Sequence, residues 1–170
     1  MNRIILLLGV PGSGKTTLAK KLTEKGFLCL NADSIRGELY GDELEQGDPK
    51  KVFEIFFERL EEALAEKKDI LVDNTNLKQQ HRKPIIERAE KAGYKDIQLW
   101  LLDVPLELCL ARNKNREKAV PEDIVAKMFM EFNRTGRPKH GEGKLVLLRP
   151  AKDETGASEL ADWRFFFPQS

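Results

Sequence analysis

The chain has 170 residues, 41% hydrophobic and 34% charged, with 29 Lys+Arg against 28 Asp+Glu and a formal net charge of +1. That length suits one domain with a sizeable core, the mixed charge argues against wholesale disorder, and neutrality excludes a uniformly basic nucleic-acid coat while leaving room for a local basic site. No apolar run approaches the roughly 20 residues of a membrane span, the first residues read as a strand and not as a signal peptide, and two isolated cysteines, Cys29 and Cys109, form no disulfide framework, so the expectation is a cytoplasmic protein with no membrane partner.

Residues 3–8 are leucine- and isoleucine-rich and stop at Gly9, which predicts a buried strand. Residues 15–25 carry Leu18, Ala19 and Leu22 at helical spacing and stop at Gly26. A short strand is expected at 27–30 and a helix at 33–40. Residues 49–68 place Val52, Phe53, Phe56, Leu60, Ala63 and Leu64 three and four apart, the pattern of an amphipathic helix. A strand over 70–72 ends at Asp73. A helix over 78–92 closes at Gly93, with Ile85, Ile86 and Ala89 inward, and a strand follows over 96–102. Helices over 105–115 and 121–133 each start with proline, which suits the first helical position. A last strand covers 144–148. The remaining tail has a polar first half and ends in Trp163 and Phe165-Phe166-Phe167.

Strands alternating with helices predict an α/β fold. The expectation is a three-layer arrangement, a parallel sheet of about five strands with helices on both faces. Residues 1–150 are expected to form one domain with a helical lid around 112–120. Residues 151–170 are expected to pack on the same domain as a tail. The site is then expected at the carboxyl ends of the strands, near Gly9, Asn31, Asp73 and Asp103.

Gly9-Val10-Pro11-Gly12-Ser13-Gly14-Lys15-Thr16 matches G-x-x-x-x-G-K-[ST], between a predicted strand and a predicted helix. Its glycines let backbone N–H groups curl around phosphates, and the helix N-terminus adds positive partial charge. Lys15 can reach the β- and γ-phosphates, and the Thr16 hydroxyl can ligate Mg²⁺. The motif predicts a nucleoside triphosphate site. Asp73 follows a hydrophobic strand, as does an acid that holds Mg²⁺ directly or through water; a helix cap is the other reading, and Asn74 beside it is a competitor for the metal. His81 and His140 stand far apart with no metal-ligand spacing, and Cys29 in Phe27-Leu28-Cys29-Leu30 reads as a core residue. No N-K-x-D segment for guanine follows a late strand.

A kinase also needs a base beside the acceptor hydroxyl, cations around the phosphoryl group and a lid against water. Asp33 fits the first need, with Arg36 one helical turn on; equally, Asp33 could cap the helix starting at Ser34. The run from Arg112 to Lys118, rich in Arg and Lys between two helices, fits a mobile lid, or else a solvated basic loop.

These pieces together are specific: the phosphate loop through Thr17, Asn31-Ala32-Asp33-Ser34-Ile35-Arg36, Thr75-Asn76-Leu77, Asp103-Val104-Pro105, Arg112-Asn113 with Arg116, and Lys118-Ala119-Val120-Pro121. Over roughly residues 1–135 the chain resembles the phage-type 5′-hydroxyl polynucleotide kinase domain, which has relatives in DNA and RNA repair enzymes. The resemblance implies that Asp33 is the general base for the 5′-OH and that Arg36 binds the acceptor's phosphate. It implies that Arg116 in the lid stabilises the phosphoryl group and that Arg112 lies beside the nucleotide. Thr75 and Asn76 would lie near the acceptor. The implied ATP-binding set is Gly12, Ser13, Gly14, Lys15, Thr16, Thr17, Arg112 and Arg116, with Thr16 and Asp73 for Mg²⁺. Where the family often has an acid directly before Thr-Asn, this chain has Asn74, with Asp73 one residue earlier. No Asp-x-Asp-Gly-Thr segment is present, so 3′-phosphatase activity is not expected.

The expectation is therefore an ATP- and Mg²⁺-dependent kinase acting on the 5′-OH ends of DNA or RNA. A sugar, antibiotic or zeta-toxin-like kinase on the same scaffold is the alternative, with Arg36, Arg82 and Lys83 as the discriminating cations for a nucleic-acid backbone. A nucleotide-gated binding module without an acceptor is a further alternative.

Overall fold

Arg3–Leu8 forms β1, and five of its six side chains, Ile4 to Leu8, are fully buried. An unbroken apolar strand of this kind needs cover on both faces, and the chain supplies it with helices on either side of the sheet. The computed structural model describes residues 2–42, 47–151 and 163–168. In chain order the elements are β1 (Arg3–Leu8), α1 (Lys15–Glu24), β2 (Leu28–Leu30), α2 (Ala32–Tyr40), α3 (Pro49–Ala65), β3 (Ile70–Val72) and α4 (Gln79–Lys91). There follow β4 (Asp96–Leu102), α5 (Leu106–Lys114), α6 (Glu122–Glu131), a π-helical turn (Phe132–Gly136), β5 (Lys144–Pro150) and β6 (Trp163–Phe166). Among the described residues no helix is long and apolar enough to cross a membrane.

The sheet order is β2-β3-β1-β4-β5-β6. The first five strands are parallel, with Ile5 level with Leu71 on one side and Gln98 on the other. The expected five strands are six. β6 lies in the tail and pairs antiparallel with β5, Leu148 against Phe165. Its aromatic run reads equally well as a packed tail, and it becomes a strand because β5, the preceding element, offers it an open edge. Most of the rest of the tail lies outside the described residues.

Two helix boundaries bear on the site. α2 starts at Ala32, one residue before the expected start, because the Asn31 side chain accepts hydrogen bonds from the Asp33 and Ser34 N–H groups and caps it. α6 ends at Glu131, two residues short of expectation, and widens into the π turn. That turn brings Gly136 so close to the Leu77 carbonyl that a Cβ there would collide with it. The π turn thus docks directly on the segment after β3.

Candidate active site

The loop after β1 is shaped by glycines at positive φ. Gly12 has φ +87° and presses on the carbonyl of Cys109 in α5; Gly14 has φ +102° and sits 3.1 Å, measured from an added Cβ, from the Trp163 ring of β6. No side chain caps α1, which leaves its first N–H groups pointing into the cleft. Ser13 is buried, and its hydroxyl has no hydrogen-bond partner. Arg112 donates to the Ser13 carbonyl at 3.3 Å, so α5 is tied to the loop.

Lys15 points inward, its amine 4.0 Å from the Asp73 carboxylate. Burial lowers the Lys15 pKa, with Asp73 and Asp33 pulling it back up. Burial raises the Asp73 pKa, opposed by Lys15 and by a hydrogen bond from Asn31 at 3.3 Å. A buried carboxylate met by one amine at 4.0 Å and one neutral amide at 3.3 Å is under-compensated, and such a donor would suit a divalent cation. The Asn74 side-chain oxygen accepts from the Ala32 N–H at 3.0 Å, so it serves α2. Thr16 and Thr17 are exposed, and both line the same cleft.

This cleft, about 360 Å³, also takes in Asp33, Thr75, Arg116 and Lys118. Asp33 is in the first turn of α2, and Arg36 donates to its carboxylate at 2.5 Å. The capping alternative for Asp33 is excluded, because Asn31 holds that role. Asp33, Asn74 and Thr75 also line a second cavity of about 600 Å³. Its far walls are Phe53, Phe56 and Phe57 from α3, with Pro84 and Met128. Arg36 reaches the same cavity, and its Nε is buried without a partner. One carboxylate therefore borders both spaces.

The segment expected to act as a lid joins α5 to α6, and beyond Lys114 it is turn and loop, not helix. Asn113 is buried and holds it at both ends of one amide: its Nδ2 donates to the Val120 carbonyl at 2.7 Å and its Oδ1 accepts from the Val120 N–H at 3.1 Å. Lys118 reaches across to Asp42 at 3.2 Å. Arg116 is exposed on the cleft side.

Two residues depart from expectation. Asn76 borders the second cavity, but its amide is spent on the carbonyls of Leu7, Val72 and Asn74, and its backbone is left-handed at φ +53°. It locks the turn and leaves the half-buried Thr75 as the member of the pair that faces both the cleft and the cavity. Arg82, expected to meet a nucleic-acid backbone, is instead fully buried, paired with Glu142 at 2.8 Å and donating to the Asn76 carbonyl. Its partner arrives from 60 residues downstream, and that is what makes burial of the guanidinium tolerable. Lys83 is exposed and pairs with Glu87 on its own helix. The sequence marks Asn31 as a strand end and Lys118 as part of a motif without giving either a role, and it does not announce the aromatic wall of α3. The wall has a signal in Phe53, an apolar residue of α3 left 38% exposed.

A family model described as an AAA domain matches residues 4–138. The L-seryl-tRNA(Sec) kinase of Methanococcus maripaludis is 29% identical over 140 residues, 78% of this chain and 53% of that protein. A protein of the Autographa californica nuclear polyhedrosis virus, named as a bifunctional polynucleotide kinase/RNA ligase, is 27% identical over 146 residues, 76% of this chain but 21% of the viral protein. The chain thus spans about half the length of the first of these relatives and about a fifth of the second. A chain of the Pnkp1/Rnl/Hen1 RNA repair complex superposes with a TM-score of 0.70 at 21% identity, over 79% of this chain and 45% of that one, a likeness of fold.

Proposed function

Since the chain belongs to the AAA domain family and carries a P-loop kinase fold, we propose that it transfers the γ-phosphate of ATP to the 5′-hydroxyl end of DNA or RNA. It is a kinase-family enzyme, a transferase; the acceptor is the proposed part. The observation that carries the reading is Asp33, whose carboxylate borders both the cleft of the phosphate loop and the aromatic-walled cavity. Flat apolar walls beside a basic carboxylate and an arginine suit a nucleoside hydroxyl better than a polyol, which would need many more polar partners.

In the proposed reaction the acceptor hydroxyl gives its proton to Asp33 and its oxygen bonds to the γ-phosphorus. The bond from that phosphorus to the β,γ-bridging oxygen breaks, and ADP leaves. Backbone N–H groups of Gly12 and Gly14 with Thr17 hold the triphosphate, the Ser13 N–H closes the loop's own turn on the Val10 carbonyl at 3.1 Å, and Arg112 fixes the loop. Lys15 and Arg116 neutralise the charge that builds on the transferring group. Arg36 and Thr75 orient the acceptor. Thr16 and Asp73 share the cleft and would hold Mg²⁺, which when bound neutralises β- and γ-phosphate charge. Residues 1–150 act as one kinase unit with its lid at 112–120, the tail adds the edge strand, and the cytoplasm is the compartment that reduced, isolated cysteines suit.

The test is one assay with labelled ATP and four acceptor classes: 5′-OH DNA, 5′-OH RNA, seryl-tRNA and a panel of small polyols and sugars. Transfer to a 5′-OH end is the expected result. Transfer confined to the serine hydroxyl or to small alcohols would overturn it, and ATP binding with no transfer would leave only a nucleotide-binding module.

A further inference from the structure

A third concavity, about 550 Å³, opens off the aromatic cavity and shares Thr75, Gln80, His81 and Met128 with it. Its character differs from that of its neighbour. Lys78 and Arg134 are exposed along it, and Glu131 is its one acid. Burial, with Lys78 and Arg82 nearby, lowers the His81 pKa, so at neutral pH the positive charge of the groove rests on Lys78 and Arg134. Leu77, Met128 and Phe132 supply an apolar floor.

The walls of this groove are irregular backbone held rigidly. On one side is the turn after β3, with Asn76 left-handed at φ +53° and its carbonyl clamped by the buried Arg82–Glu142 pair. On the other is the π turn, whose Gly136 touches the Leu77 carbonyl. Left-handed non-glycine backbone and π turns are both costly and concentrate where a site is being shaped. A small alcohol would fill the aromatic cavity and leave this groove without a role. An acceptor that continues past its first unit would enter it.

We propose that this groove seats the nucleotide 3′ to the acceptor nucleoside, its own 3′-phosphate against Lys78 and Arg134 and its base over Met128 and Phe132, while the phosphate that joins the two nucleosides stays with Arg36. This rests on the polynucleotide reading above. The strand then turns at Thr75, with its 5′-OH at Asp33, and the site reads a chain rather than a single nucleotide. Phosphate contacts of this kind position the strand without reading sequence.

The test measures KM and kcat with a 5′-OH nucleoside 3′-phosphate, a dinucleotide that carries a terminal 3′-phosphate, and a tetranucleotide. It uses wild type, Lys78→Glu/Arg134→Glu, and a charge-matched control, Lys20→Glu/Lys91→Glu, away from the groove. In wild type KM is expected to fall by about tenfold from the nucleoside 3′-phosphate to the dinucleotide, with a salt dependence of about one unit in log–log slope per added phosphate contact. The groove variant should lose that gain and its salt dependence, while the control keeps both. Equal KM for all three acceptors, or a groove variant indistinguishable from the control, overturns the groove and leaves the kinase reading standing. A wild-type enzyme that phosphorylates none of the three overturns both.

Discussion

Asp33 now stands apart from the helix cap it could have been. Asn31 performs the capping, and the largely exposed Asp33 contributes to stability through its place in the first turn of α2 and an i,i+3 pair with Arg36, both small effects at a side chain so open to water. Its chemistry and its structural role are therefore separable by a substitution that keeps its size. Asp33→Asn is expected to leave the thermal midpoint and ATP affinity almost unchanged. Turnover should drop by about 10² to 10⁴, the usual share of a general base. An Asp33→Asn enzyme with near-normal turnover would remove the base from the mechanism, and stopped-flow ATP binding beside steady-state rates makes the comparison.

At the scale of elements, the phosphate loop is held by what packs on it. α5 presses on Gly12 through the Cys109 carbonyl, and β6 presses on Gly14 through Trp163. Gly12→Ala would incur the left-handed backbone cost of about 1–2 kcal/mol and, in addition, an overpacking cost of about 1–3 kcal/mol as α5 is pushed off the loop. Gly26 offers the comparison, because its φ is also positive, at +102°, but nothing lies within 4 Å of an added Cβ. Gly26→Ala should lower the melting temperature modestly and leave nucleotide binding intact. Gly12→Ala should lower it further and abolish binding of a fluorescent ATP analogue. Equal effects of the two would mean that the contact with α5 is slack.

Across the whole molecule, burial acts on two thiols at once. Cys29 in the edge strand β2 and Cys109 in α5 are each pushed up from 9.0 to about 11, foremost by desolvation. A thiol whose folded pKa is raised ionises first in the unfolded chain. Below pH 9 both states keep the proton and nothing is lost; between about pH 9 and 11 the unfolded state is favoured progressively. Denaturant unfolding at a series of pH values should therefore show stability falling across that window. A Cys29→Ala/Cys109→Ala chain should fall less steeply, even if it starts lower because of the vacated volume at Cys109. Parallel curves for the two proteins would show that the thiols are not desolvated in solution.

The sequence by itself determined the alternation of strands and helices, the phosphate loop, and the order in which Asp33, Asp73 and the basic lid run appear along the chain. Each of these is local: a run such as Ile4 to Leu8, a spacing such as Val52-Phe56-Leu60, or eight contiguous residues ending in Lys15 and Thr16 carries its own physical signature. Only the tertiary structure decided matters that depend on partners far away in the chain. Arg82 looks like a surface cation until Glu142 is brought to it, and Asn76 looks like a ligand until its amide meets the carbonyls of β1 and β3. Phe53 reads as core from its spacing, yet α3 packs so as to leave it lining a cavity. The aromatic run of β6 reads as a packed tail until the open edge of β5 pairs with it. Periodicity reports which face of an element is apolar; whether that face meets a core, a cavity or an ion-pair partner is settled only when the elements are assembled, because burial and charge compensation are properties of the contact and not of either residue alone.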